Sequence, residues 1–496
     1  MIKQKQSFNI TMLLLKRANE LLEQGKLREA EFMFKAVLKE NNKIGSALYG
    51  LGRICIRLED YDSAIYYLKR ACEHLPKMLD PLFALADAFM AVGSSVDAKT
   101  VLEYTLSVAR HNAQAHYQLG QFYLDHGFIE NAVRTFEAGV ECPKSAVTAF
   151  MLQELVQICP VNKLEAHVAL LHELLSDYEN KRLKIVVYYA LGKCYHRLEQ
   201  FSQAFDYFKL ANECQLSLCE FKTEHMQPFF KDLKTQCSSD FFKIPNDKLK
   251  ATFTPAFIVG LPRTGSTLLE QMLVEHSQIG SMGENTVISD KIVPYLQMRN
   301  ETPFPECLHT LTTSMLDHCR NLYVDEIKKH RVGNEVVINK LPANFQNIGL
   351  IQKMFPDARF IHLTRSFHAN AWSVYSNHFA ENEPYFCSLT EYKQYADFQD
   401  DLMQHFKEYL PRNIYTLSYE KLIDETPKEL NKVLNFLYQK FEPECLEFYK
   451  SKRPVSTLSK AQVRKPLEQS PRSNWQVYEQ QMIAMLDADQ TTEEHL

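Results

Sequence analysis

The chain has 496 residues, and its 56 basic and 61 acidic side chains leave a formal net charge of −5. That length accommodates two or more domains. The near balance of charge excludes a whole-protein attraction to nucleic acid or anionic membrane, but leaves room for a local basic cleft. No run of about 18 consecutive apolar residues occurs, so no integral membrane association is expected. Apolar residues 12–15 are followed at once by Lys16 and Arg17, which interrupt any continuous signal-peptide core. Twelve cysteines are scattered without C-x-x-C pairs. Buried thiols in a reducing, cytoplasmic setting account for them better than disulfides or zinc.

Ala30, Ala64, Ala98, Ala132 and Ala166 recur with a period of 34. Twelve residues before the first four stand Ala18, Gly52, Ala86 and Gly120, and seven after them come Val37, Ala71, Thr105 and Gly139. Small residues at these offsets predict closely approaching helix pairs stacked into a solenoid. The pattern weakens over 145–183 and returns with Gly192, Ala204 and Ala211. The 38-residue interval from Ala166 to Ala204 predicts an inserted loop or a lengthened helix near 176–184. This spacing resembles tetratricopeptide repeats across 9–217. The resemblance implies a concave surface for a peptide or partner protein. The alternative is an array that only stabilises the chain or joins it into a homodimer.

From 218 to 254 the spacing disappears, and a helical connector is expected. Apolar strand-like runs then alternate with helical stretches at 257–259, 335–338, 359–363 and 413–417. Such alternation predicts an α/β domain with a central parallel sheet, whose ligand sits beyond the strand C-termini. After the first run, the glycine-bearing turn 260–265 leads into a helix opening at Ser266. Its first-turn amides have no intrahelical acceptor, so strand, turn and helix together cradle an anion. The spacing G-x-x-x-x-G-S-T is Walker A-like, but Ser266 stands where the lysine would be. A phosphate-like ligand is expected, and an ordinary nucleoside triphosphatase fits poorly.

The turn itself and two further segments carry side chains suited to the same anion. Arg263 offers a planar fork to two oxygens of one phosphate or sulfate. Arg365 leaves the third predicted strand, with Ser373 eight residues on. Lys340 follows the second predicted strand, just before the bend at Leu341-Pro342. Read alone, the glycine-bearing loop is equally a tight structural turn, Arg365 and Ser373 are more readily a solvated arginine and a helical serine, and Lys340 is equally a surface lysine before a turn.

Together these residues resemble the phosphoadenosine-phosphosulfate-dependent sulfotransferases, in particular the protein-tyrosine sulfotransferase branch and repeat-containing bacterial relatives. The resemblance covers 255–480 and leaves 481–496 as a polar tail. It implies that Arg263, Thr264, Gly265, Ser266 and Thr267 hold the donor's 5′-phosphosulfate, and that Arg365 and Ser373 hold its 3′-phosphate. It also implies that Glu284 is the catalytic base and that Lys340, with Arg263, stabilises the leaving phosphate. Tyr419 corresponds to a tyrosine that helps hold the nucleotide. Lys465 and Ser459 correspond to late-loop contacts, with Ser456 and Thr457 as neighbours. The implied donor is 3′-phosphoadenosine 5′-phosphosulfate, the product is adenosine 3′,5′-bisphosphate, and no metal is called for. The implied acceptor is a protein or peptide tyrosine recruited by the repeats, with a small molecule or glycan as the alternative. His276, His368 and His378 are secondary candidates for the base. A kinase, and a repeat scaffold with a non-catalytic nucleotide fold, remain the rival classes.

Overall fold

Helices in consecutive pairs fill the first part of the chain in a computed structural model. It describes residues 2–219, 221–243, 251–330, 332–379, 383–451, 453–455, 462–464, 466–467 and 475–493. The pairs are Ile2–Glu23 with Leu27–Glu40, Gly45–Arg57 with Tyr61–His74, and Asp80–Ala91 with Ser95–Val108. They continue with Ala113–Asp125 and Ile129–Val140, Ala146–Ile158 and Leu164–Asp177, and Lys181–Arg197 and Phe201–Leu216. Ala30, Ala64, Ala98 and Ala132 are all 0% exposed, as the close approach of two helices requires. At Gly120 an added Cβ would lie 2.3 Å from the Phe136 ring, so the large residue of one helix fills the gap left by glycine on the other.

Ala166 breaks the phase. It is exposed, and Leu164, His167, Leu171 and Leu174 form the buried face of its helix instead. The longer interval that follows is a lengthened helix rather than a loop: Lys181–Arg197 has 17 residues against 13 for Gly45–Arg57.

By packing, the chain divides into Met1–Leu124 with Phe128–Leu155, and Asp125–Gly127 with Val156–Leu496. The last repeat pair therefore lies in the unit that holds the sheet. That sheet has five strands: β1 (Thr254–Gly260), β2 (Ile279–Ser281), β3 (Val336–Asn339), β4 (Arg359–Thr364) and β5 (Ile414–Ser418). All pairings are parallel, in the order β2-β3-β1-β4-β5. The chain winds to one side of β1 to make β2 and β3, then crosses to the other side for β4 and β5. This reversal puts a crevice at the C-terminal end of β1, where open α/β sheets take their ligands.

The last repeat pair is fixed to helix Phe367–Tyr375, which follows β4. Phe205 stacks on Trp372 at 6.1 Å, and Phe208 meets the same ring edge-on at 5.6 Å. Buried Asn212 accepts a hydrogen bond from the Tyr189 hydroxyl (2.8 Å) and donates to the Tyr375 carbonyl (2.9 Å). Residues 481–493, a polar tail by sequence, belong to helix Glu479–Glu493. Met482 is fully buried there, with Met485 and Leu486 packed beside it, and apolar burial is what orders the segment. No disulfide joins the described cysteines, and no described helix is long and apolar enough to cross a membrane.

Candidate active site

β1 ends at Gly260, where an added Cβ would lie 2.5 Å from the Leu363 carbonyl of β4. The backbone then turns through two left-handed residues, Arg263 (φ 64°) and Gly265 (φ 92°), into helix Ser266–Leu273. Thr264 Oγ1 closes the turn by donating to the Leu261 carbonyl at 2.8 Å. Gly265 lies against the Tyr419 ring, with room for no Cβ: Tyr419 Cδ2 would be 2.4 Å away. Gly265→Ala combines that collision with left-handed strain of about 1–2 kcal/mol. It should lower the urea unfolding midpoint of the intact chain, and an unchanged midpoint would contradict the packing described.

Helix Phe367–Tyr375 supports the turn from the side. Asn370 Nδ2 donates to the Pro262 carbonyl (2.8 Å), and the Tyr392 hydroxyl donates to Asn370 Oδ1. Arg263 Nε donates to Ser373 Oγ at 3.1 Å, and Arg365 Nη1 donates to the Arg263 carbonyl at 2.8 Å. The Arg365 guanidinium lies 4.6 Å over the Tyr419 ring, and its Nε is buried without a hydrogen-bond partner. Burial, and next the charge of Arg365, hold the Arg263 guanidinium down to about 10. Two cations brought together against their own repulsion make a field suited to an anion.

Across the crevice, Lys340 stands just past β3 and is 1% exposed. Its ammonium donates to the Glu284 carboxylate and lies 3.7 Å from Glu270 Oε2. Glu270 in turn accepts from Ser281 Oγ at 2.6 Å. Burial raises the Glu270 carboxyl above its ordinary value, and the Lys340 charge opposes the rise. The Lys340 N–H donates to the Gly283 carbonyl at 2.9 Å, which ties the loop bearing Glu284 to the end of β3. Glu284 is half-exposed and turned to the crevice.

A cavity of about 310 Å³ joins the two sides. Gly260, Arg263, Gly265, Ser266 and Thr267 line one wall, and Leu341, Pro342, Phe345, Phe379, Phe386 and Tyr395 line the other, with Glu284 and Glu383 among them. Of the sequence-derived residues, Arg263, Gly265, Ser266, Thr267 and Glu284 face this space directly. Lys340 reaches it through Glu284, while Arg365, Ser373 and Tyr419 adjoin Arg263 and Gly265. Thr264 is buried in the turn. Ser459 and Lys465, with Ser456 and Thr457, lie outside the described residues.

The histidines are placed elsewhere. His276 Nε2 donates to the Lys440 carbonyl (2.9 Å), and its Nδ1 accepts from the Gln278 N–H (3.1 Å). His368 stacks on Trp475 and His378 on Tyr189, both at 5.3 Å. Among the described residues, no group of three or more His, Cys, Asp or Glu is placed to hold a metal ion.

Residues 255–443 match the model of the sulfotransferase family, and 15–78, 83–146 and 185–213 match tetratricopeptide repeats. The chain joins a sulfotransferase-family domain to tetratricopeptide repeats. It is 32% identical over 241 residues to an uncharacterized protein of Aquifex aeolicus, covering 47% of this chain and 32% of that one. It is 31% identical over 126 residues to protein-tyrosine sulfotransferase 1 of Danio rerio, covering 24% of this chain and 35% of that one. The chain thus spans about a third of the length of these curated relatives. The sulfotransferase domain from the Synechococcus PCC 7002 olefin synthase aligns with 19% identity and a TM-score of 0.35, over 47% of this chain and 90% of that one.

Several residues that shape the site of the sulfotransferase domain were not singled out in the sequence. Glu270 is an acid inside the apolar helix run Leu268–Leu273, a conflict that signals a buried partner. Asn370 braces the turn from within Ala369-Asn370-Ala371. Glu383 lines the cavity, its carboxyl raised mainly by burial, and no local spacing marks it.

Proposed function

We propose that this chain transfers a sulfuryl group from 3′-phosphoadenosine 5′-phosphosulfate to an acceptor hydroxyl, favouring tyrosine in a protein or peptide. The reading is carried by one observation: a single cavity joins the Arg263–Thr267 turn to Glu284 on its lysine. In this scheme the Gly265, Ser266 and Thr267 amides and hydroxyls hold the 5′-phosphosulfate, closed by Thr264. Arg365 and Ser373 take the 3′-phosphate, and Tyr419 supports the nucleotide. The buried Arg365 Nε, which lacks a partner, fits that assignment.

The acceptor oxygen attacks sulfur as its proton passes to the Glu284 carboxylate. The bond between sulfur and the bridging oxygen breaks, and the electron pair stays with the departing phosphate. Arg263 and Lys340 stabilise that charge as it develops. These cations do what a metal ion does in many phosphoryl transfers, so no metal is assigned. Phe345, Phe379, Phe386 and Tyr395 make much of the cavity lining aromatic, which favours a phenol ring over a sugar. Residues 9–217 act in this reading as the recruiting array for a protein acceptor, 218–254 as the connector, and 255–480 as the transferase, in a cytoplasmic setting.

Calorimetry on the intact chain with adenosine 3′,5′-bisphosphate tests the donor assignment. Binding should persist in the presence of chelator, and binding lost on chelation would sink the metal-free account. Removing the 3′-phosphate should weaken binding more in the wild type than in Arg365→Ala. Labelled sulfate from the donor should enter a tyrosine-containing peptide but not its phenylalanine counterpart. Label appearing only in small molecules or glycans would overturn the tyrosine assignment.

A further inference from the structure

We infer that Lys193, on repeat helix Lys181–Arg197, is a donor-binding residue whose ammonium contacts the bound nucleotide beside Arg263. This rests on the nucleotide reading above, and it makes the last repeat pair part of the donor site.

The placement follows from packing. Phe208 meets Trp372 edge-on at 5.6 Å, and the next residue, Ser373, accepts from Arg263 Nε at 3.1 Å. The Lys193 ammonium lies 5.5 Å over the Phe208 ring, on this same chain of contacts. Among the described residues it makes no hydrogen bond and no ion pair. The charged or titratable groups that act on it or feel it are Arg263 from the phosphate turn and His196 on its own helix, with Arg197 one residue on. Phe208 and Trp372, from the neighbouring helices, carry no charge. Burial, and next the Arg263 charge, bring the Lys193 ammonium down to about 7. A lysine that only covered an aromatic ring would do so as well without a guanidinium nearby. A half-buried cation beside a second cation, with no carboxylate among the described residues to pair it, is costly until an anion arrives.

The test compares wild type, Lys193→Met and Lys193→Arg as full chains with adenosine 3′,5′-bisphosphate. Methionine keeps the apolar stem over Phe208 and removes only the charge. Lys193→Met should weaken binding by about 10- to 100-fold, the effect of one charge-assisted contact, and arginine should restore much of it. At pH 8, calorimetry in buffers of different ionisation enthalpy should show wild type taking up a proton on binding that the methionine variant does not. The unliganded methionine variant should melt no lower than wild type.

The sign of the pH effect follows from the lowered value. Between about 7 and 10.5 the unfolded chain holds a proton that the folded one lacks, so this residue's contribution to stability rises with pH through that window. Nucleotide affinity moves the opposite way, because the ligand needs the ammonium. Equal affinity and equal proton uptake in wild type and Lys193→Met would overturn this inference alone. Weaker binding with a lower melting point and unchanged proton uptake would also overturn it, in favour of a packing role. A wild-type chain that does not bind the nucleotide would overturn the donor reading and this inference with it.

Discussion

Glu284→Gln should cut sulfuryl transfer by about 10²–10⁴-fold while affinity for adenosine 3′,5′-bisphosphate stays within a few-fold of wild type. Glutamine has nearly the same volume and keeps a carbonyl oxygen for the Lys340 ammonium, so the loop that Lys340 anchors should hold its place. Only the capacity to accept a proton is removed. The geometry favours this carboxylate because it is half-exposed and opens on the cavity that Arg263, Gly265, Ser266 and Thr267 also line. The measurement is single-turnover transfer at saturating donor, with nucleotide binding followed in parallel. Near-wild-type transfer would reject Glu284 as the base. The next candidate would then be Glu383, which lines the same cavity and whose carboxyl burial pushes up. The histidines rank lower: both His276 nitrogens are engaged, and His368 and His378 lie stacked on rings outside the cavity lining. A parallel Glu383→Gln variant separates the two carboxylates, since only the one that takes the proton should show the full loss.

What could be read from the chain depended on how local each signal was. The period of 34 expresses a helix-pair geometry that repeats, so Ala30 through Ala132 were legible and are fully buried. Ala166 kept the spacing but not the burial, because the neighbouring leucines Leu164, Leu171 and Leu174 set a different buried face. Four strands were legible as apolar runs, whereas β2 has three residues around a glycine and too little pattern to register. The turn between β1 and helix Ser266–Leu273 was legible because glycine spacing and the helix start lie within ten residues of one another. Glu270 and Lys340 are seventy residues apart, and only the β2-β3-β1 arrangement brings them together. The placement of Lys193 over Phe208 and near Arg263 is not visible in the sequence, since a solenoid period does not report which helix pair packs against helix Phe367–Tyr375. Long-range charge pairing is set by topology, and a periodicity argument carries no information about it.

Lys340→Met should abolish measurable transfer and also destabilise the fold, by about 3–5 kcal/mol, the usual consequence of removing one member of a buried ion pair. Lys340 is 1% exposed, and Glu270, 3.7 Å away, is 6% exposed, so Glu270 would be left without its counter-ion in a place water does not reach. The carboxyl is already raised by burial, with Lys340 opposing the rise, and removing the lysine should raise it further. A carboxyl raised in the folded state binds more protons there than in the unfolded chain. Its contribution to stability is therefore full below 4.5 and is lost as pH rises through the folded value. The methionine variant should accordingly be weakest near neutral pH and recover towards pH 4.5. Adding Glu270→Gln removes the orphaned charge, so the double variant should regain most of the stability but none of the transfer. Urea unfolding at two pH values, with transfer measured on the same preparations, separates these effects. A stable single variant, or a double variant no more stable than the single, would remove Lys340 from its place as the counter-ion of Glu270. Transfer restored in the double variant would remove it from the chemistry, because the pair would then serve only to hold the end of β3 against the loop that carries Glu284.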